Sequence, residues 1–306
     1  MYVRLLGTAA GGGVPQWNCN CAQCYGLRQG TLRVLPRTQS SVALSADGQC
    51  WFLLNASPDI RQQIEAFPPL TPLPGQMRAS PIAALFLTDA DLDHTLGLLI
   101  LREGLQHTIY ATAAVRQALT EGLALTSALR HYCAVDWREP STELTPLLYA
   151  DGSSSGLSYA ACVVAGHAPL YLGKESAPQP GDRVGYRFVD EKSGGTLLYF
   201  PGLAQLEASV KELLPQCTAL LLDGTFWSEH EMEETGTGKK SASQMGHLPV
   251  GGPQGSLAQI ASLAIKHRIY VHINNTNPML VEDSAEQGAL HEVGVELGQD
   301  GREIII

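Results

Sequence analysis

The sequence predicts a mixed α/β fold, because short apolar or β-branched runs recur from end to end and segments with helical spacing of apolar residues lie between them. The strands expected, in order, are Tyr2 to Leu6, Ser41 to Leu44, Trp51 to Asn55, Ile82 to Thr88, Leu144 to Tyr149, Tyr159 to Val164, Gly185 to Val189, Leu197 to Phe200, Ala219 to Asp223 and Ile269 to Ile273. Helical composition and spacing mark Ala113 to Arg130, Leu203 to Leu214 and Ser256 to His267. Three stretches break the rhythm: Phe67 to Pro81 with five prolines, Gly173 to Arg183, and Phe226 to Gly255. Proline and glycine at this density favour turns, and long loops in compact domains are disproportionately functional or mobile. Strand patterns resume on either side of each break, so the chain reads as one domain over 1–306. It carries a cysteine-rich loop near 11–30 and a long loop near 226–255.

Composition narrows the function. The chain has 306 residues, 44% of them hydrophobic, and no apolar run of membrane length, which points to a soluble globular protein with no membrane span. A net charge of -10 and the lack of clustered Lys and Arg argue against nucleic acid as a partner and for a small or dipeptide-like substrate. Met1 to Gly7 lacks the charged and long apolar segments of a signal peptide and reads as a first strand, so the expected location is cytoplasmic. Oligomeric state is not legible at this level.

The densest chemistry lies in Asp89-Ala90-Asp91-Leu92-Asp93-His94, directly after the apolar run Ile82 to Thr88. Carboxylates this close repel unless a cation, a proton or solvent relieves them, and a metal is the simplest remedy. Thr95 to Leu101 looks like the opening of a helix, so the alternative is an acidic N-cap with the remaining acids in solvent. His272 closes another expected strand before a turn containing three asparagines, and His167 follows a strand in the same way. Either is a candidate ligand, or a structural histidine bonded to a carbonyl. His247 lies in the long loop, where it is a candidate acid, base or substrate contact.

Of the seven cysteines, Cys50, Cys133, Cys162 and Cys217 sit among apolar neighbours and read as core. Cys19, Cys21 and Cys24 have the C-x-C-x-x-C spacing that lets three thiolates converge on one structural Zn2+, with a fourth ligand from elsewhere. A disulfide would leave one thiol over in a reducing compartment. The run Gly7 to Gly13 fits no phosphate-binding pattern, and its glycines are read as permission for unusual backbone geometry.

Taken together, Gly7-Thr8-Ala9-Ala10-Gly11-Gly12-Gly13-Val14-Pro15, the cysteine trio, the D-x-D-x-D-H run and the late His272 resemble the metallo-β-lactamase superfamily, and within it the branch serving pyrroloquinoline quinone (PQQ) biosynthesis. The resemblance spans essentially the whole chain. It implies a four-layer αββα sandwich with metals held by loops at one edge. Hydrolases of the superfamily carry H-x-H-x-D-H and bind two metals. Here Asp89 and Asp91 stand where the first two histidines would be, Asp93 and His94 match, His167 follows a strand as the next histidine does, and His272 matches the last. The bridging aspartate is expected after Leu197 to Phe200, where this chain has Pro201-Gly202.

What the resemblance leaves is Asp93, His94 and His272, the two-imidazole, one-carboxylate set associated with non-haem Fe2+ oxygenases, although other divalent metals would fit. Asp89, Asp91 and His167 are then further ligands or groups that orient the ligands, with His247 and Asp91 as catalytic candidates. For the cysteine site, related phosphodiesterases place a histidine where this chain has Asn275, which makes Asn275 a candidate fourth ligand. The activity implied is iron-dependent hydroxylation of the tyrosine of a Glu-Tyr-derived PQQ precursor. A carrier of PQQ or its precursor toward the periplasm, and a zinc or manganese hydrolase, are the alternatives.

Overall fold

A computed structural model describes residues 1–103, 106–173 and 177–306; of the expected loop from Gly173 to Arg183, residues 174–176 lie outside the described residues. The strands are β1 (Tyr2–Gly7), β2 (Ser41–Ser45), β3 (Trp51–Leu54), β4 (Ile82–Phe86), β5 (His107–Tyr110), β6 (Val135–Arg138), β7 (Thr145–Leu148), β8 (Ser154–Val163), β9 (Val184–Asp190), β10 (Thr196–Phe200), β11 (Ala219–Asp223), β12 (His267–Val271), β13 (Glu296–Leu297) and β14 (Glu303–Ile305). Among the described residues they form two seven-stranded sheets, ordered β14-β1-β2-β3-β4-β5-β6 and β13-β12-β11-β10-β9-β8-β7. The helices are α1 (Ala22–Gln29), α2 (Ile60–Glu65), α3 (Leu92–Thr95), α4 (Gly97–Ile100), α5 (Ala113–Gln117), α6 (Leu125–Leu129), α7 (Ala208–Leu213), α8 (Glu231–Glu234), α9 (Ser256–Ile260) and α10 (Ala285–Glu292).

Alternation along each strand builds the layers. Phe86 of β4 and Tyr199 of β10 point into the core between the sheets, while Leu85, Leu198 and Phe200 point outward to the helical layers. Burial on both faces explains why these strands read as continuous apolar runs. Phe86 anchors the middle layer, stacked on Tyr110 at 4.3 Å and edge-on to Tyr159, Tyr186 and Phe188 at 5.2, 5.3 and 5.2 Å. Each such ring contributes roughly 1.5–3 kcal/mol through burial. The expected αββα sandwich is the fold observed.

Several local expectations need correction. Ala113 to Arg130 is not one helix: α5 passes into a wider turn at Ala118–Gly122 and α6 begins only after Ala124, whose φ is 55°. Leu203 to Leu214 is helical only from Ala208, and Ser256 to His267 stops at Ile260, because His267 opens β12. The strands β5, β6, β13 and β14 were not expected, being short and, in β6, β13 and β14, mixed with charged residues at or near sheet edges. The cysteine loop contains an unexpected helix, α1.

Parallel pairing positions the site. β4 runs parallel to β3 and β5, and β11 runs parallel to β10 and β12, so segments leaving the C-terminal ends of these strands gather at one edge of the sandwich. Asp89, Asp223 and His272 all lie at such ends, the usual place for ligands in parallel sheets.

Candidate metal centre

The helix after β4 starts inside the acidic run, at Leu92, rather than at Thr95. Asp91 occupies the N-cap position without capping through its side chain, so simple helix capping does not account for these acids. Asp93 and His94 sit in the first helical turn. That turn is pinned to the backbone after β3, because the Ala56 amide donates to His94 O at 2.8 Å and the Gly97 amide to Ala56 O at 2.9 Å. A Cβ at Gly97 would lie 2.4 Å from Ser57 O, so only glycine permits this approach.

His272 follows β12 with φ 56°, a left-handed conformation that is uncommon outside glycine and tends to mark functional sites. The turn brings its Nε2 to 3.2 Å from Asp93 Oδ2, while His94 Nε2 lies 3.9 Å from the same oxygen. One donor atom from each of Asp93, His94 and His272 lies within 4.8 Å of the others. Gly11 lines a cleft together with Asp93 and His272, next to Gly12 and Gly13 with φ 95° and 71°, so the glycine run carries the unusual backbone expected of it.

Each imidazole is tied back through its Nδ1. His94 Nδ1–H donates to Asp89 Oδ1 at 2.7 Å, because a carboxylate can only accept, and this leaves a lone pair on Nε2. That nitrogen is buried and has no hydrogen-bond partner among the described residues. His272 Nδ1 lies 2.8 Å from Thr225 Oγ1, and Thr225 Oγ1–H donates to Asp223 Oδ1 at 2.6 Å. A buried, unpaired imidazole nitrogen facing a carboxylate is expensive unless a cation lies between them, so the residues fit a divalent metal. Electrostatics agree that this position draws positive charge: although burial lowers it, the carboxylates of Asp89 and Asp93 raise His94 to about 9, so Nε2 holds a proton unless a metal displaces it. Burial acts to raise Asp93, but His94 and His272 hold it well below the usual carboxylate range.

A second cluster, Asp223, His247 and His272, shares His272. Asp223 already accepts from the Thr225 amide and hydroxyl on Oδ1, and from the Leu203 amide and His247 Nδ1–H on Oδ2. With both oxygens engaged, Asp223 orients His247 directly and His272 through Thr225, and it has little capacity left for a metal. His247 is buried, and burial outweighs the nearby Asp223 to lower its pKa, which keeps the ring neutral. Its ring is stacked at 5.4 Å on that of His272. Asp223 and Thr225 were missed in the sequence; the signal was an Asp closing an apolar strand, the same pattern that precedes Asp89.

The remaining candidates are distributed around this centre. Asp89 stands behind His94 and does not join the three-residue metal cluster. Asp91 is half-buried on the cleft wall, where burial and the neighbouring Asp89 push its carboxyl up to about 6. His167 is exposed at the rim of the same cleft and lies outside the metal-type clusters among the described residues. The cleft has a volume of about 540 Å³ and is lined also by Arg183, Lys240 and Met245.

Cys19, Cys21 and Cys24 converge as expected, with sulfurs within 4.8 Å of one another, and all three are free thiols. Asn275 reaches them with Nδ2 at 3.1, 3.4 and 3.4 Å, so its amide closes the fourth face; turning the amide over would present Oδ1 there instead. Burial, with added repulsion from Cys21, pushes the Cys24 thiol up to about 12 against the lowering effect of the Gln16 amide. Three thiolates at this spacing need a cation, and tetrahedral Zn2+ suits the donor set.

Residues 50–273 match the beta-lactamase superfamily domain. The chain is 46% identical over 305 residues to coenzyme PQQ synthesis protein B of Azotobacter vinelandii, with 99% of each chain covered, and 45% identical to the protein of that name from Stutzerimonas stutzeri, again with 99% of each covered. The chain belongs to the coenzyme PQQ synthesis protein B family. The crystal structure of Zn(2+)-bound PqqB from Methylobacterium extorquens superposes with a TM-score of 0.90 at 40% identity, covering 100% of both chains. A diphosphatase of the PhnP family superposes with a TM-score of 0.67 at 20% identity, a likeness of fold alone. The superposition on the PqqB structure covers both chains throughout, so the Asp-rich run and the cysteine trio lie inside the shared family fold.

Proposed function

We propose that this protein acts in PQQ biosynthesis as an iron-dependent hydroxylase of the tyrosine ring of a Glu-Tyr-derived precursor. The observation that carries this reading is the Asp93, His94 and His272 group, with Asp93 and His272 on the wall of an open cleft, His94 buried behind them, and each imidazole held by its Nδ1 so that Nε2 faces Asp93. Two imidazoles and one carboxylate leave coordination positions free, the arrangement suited to dioxygen chemistry. Bound Fe2+ would supply the redox chemistry that lets dioxygen react with an aromatic ring.

The chain's own residues bind and orient. One oxygen atom of O2 enters a ring C–H bond, and the other leaves as water with two electrons and two protons from an external reductant. Asp223 holds His247 with its proton on Nδ1, leaving Nε2 to accept the phenolic proton and make the ring electron-rich. Lys240 lines the cleft, exposed and with no ion-pair partner among the described residues, and meets a substrate carboxylate. Asp91 faces the same cleft and orients the substrate amine.

The test is anaerobic reconstitution with Fe2+, followed by 18O2, ascorbate and a Glu-Tyr dipeptide. A product 18 mass units heavier than substrate, one hydrogen replaced by 18OH, is expected in the protein and not in His94→Ala or His272→Ala. Tight binding of the dipeptide without oxygen consumption would favour a carrier, and equal product from the two variants would overturn the reading.

A further inference from the structure

We propose that the Arg183 guanidinium permanently takes the place of the second metal ion, making this a single-metal centre on a two-metal fold. This goes beyond the proposed hydroxylase and holds whatever the reaction. The residues standing where a second metal's ligands are expected, Asp89, Asp91 and His167, surround Arg183 instead. Its Nη2 lies 3.3 Å from Asp91 Oδ2 and its Nε 3.9 Å from Asp89 Oδ2, while Nη1 donates to Gly246 O at 2.9 Å. A Cβ built on Gly246 would stand 3.0 Å from His167 Cδ2 and 3.1 Å from Arg183 Nη1, which places the imidazole beside the guanidinium. Arg183 is only 5% exposed.

The vacant bridging position completes the argument. Gly202 follows β10 where a bridging aspartate is expected, and a Cβ there would lie 3.1 Å from both Cζ and Nη1 of Arg183. A side chain at 202 would press on the guanidinium and require it to shift, so the absence of an aspartate at this position and the seat of the arginine belong together. Arg183 neutralises Asp89 and Asp91 as a metal would, which keeps Asp89 in position behind His94. It remains charged at every physiological pH, but it offers no open coordination site and polarises no water. Two-metal hydrolysis is therefore blocked while the Asp93, His94 and His272 centre is preserved.

Zinc per chain, measured by elemental analysis after loading with Zn2+ and gel filtration, tests this. The protein is expected to hold two ions, one at the cysteines and one at Asp93, His94 and His272. Arg183→Ala is expected to hold three, and Arg183→Ala/Asp91→Asn to return to two. Three ions in the unaltered protein, or two in a folded Arg183→Ala variant with native circular dichroism, would overturn the proposal. Should Arg183→Ala fail to fold, Asp91→Asn alone decides: no change in zinc supports Arg183 as the resident cation, and loss of one ion refutes it.

Discussion

Thr225 Oγ1 stands 2.8 Å from His272 Nδ1, and through this one hydroxyl the carboxylate of Asp223 controls which nitrogen of His272 faces Asp93. Thr225→Val keeps the shape but removes both the donor and the acceptor. Metal affinity at the Asp93 centre is expected to fall by about 10–100-fold, the usual effect of losing a group that orients a ligand. Competition with a chromophoric chelator measures it, and zinc at the cysteines should not change.

His247 separates proton transfer from metal holding. His247→Gln should retain the active-site ion yet lower turnover by about 10²–10⁴-fold, the range for removing a positioned base. Asp223→Asn should lower turnover and also weaken the metal, since Asp223 supports both His247 and His272. Paired measurement of metal content and kcat checks both.

Lys240 is assigned to substrate binding from its place in the cleft lining. Lys240→Ala is expected to raise KM for an acidic dipeptide by about tenfold, with kcat nearly unchanged, a charge-assisted hydrogen bond contributing roughly 1.5–3 kcal/mol and less where solvent screens it. An equal KM for the dipeptide and its amidated analogue in the unaltered protein would refute the assignment.

The cysteine site should be independent of the cleft. Cys21→Ser is expected to lose one zinc and lower Tm, because α1 and the Asn275 turn are joined there, whereas His272→Ala should leave that zinc in place. Unchanged zinc in Cys21→Ser would remove the structural assignment.

Glu231 gives a pH-dependent stability. Its Oε2 accepts from the Trp227 amide and its Oε1 from the Thr276 hydroxyl, joining the long loop to the turn after His272. Despite those bonds, burial pushes its carboxyl up to about 7, above the ordinary value near 4.5. A raised acid pKa favours the protonated folded state, so this contribution is full below about 4.5, declines as pH rises to about 7, and is flat above. Thermal melts should show Tm falling across that window, and Glu231→Gln should flatten the slope.

The architecture was largely legible because residues such as Leu85 and Phe86, or Leu198 and Tyr199, are buried on opposite faces of the same strand and leave continuous apolar runs. The long helix expected over Ala113 to Arg130 was not, because the left-handed Ala124 that divides it has no local signature. Asp93, His94, His272 and the cysteine trio stood out because ligand-type residues crowd the ends of strands or recur at short spacing.

The sequence by itself determined the fold class, the two clusters and the departure at Asp89, Asp91 and Gly202, since these depend on residue type and local spacing. Only the tertiary structure decided that Asp89 backs His94, that Asp223 holds two imidazoles, and that Arg183 fills the space between Asp89, Asp91 and Gly202. Those relationships join residues far apart in the chain. A hydrogen bond or an ion pair depends on distance in space, which no local pattern encodes.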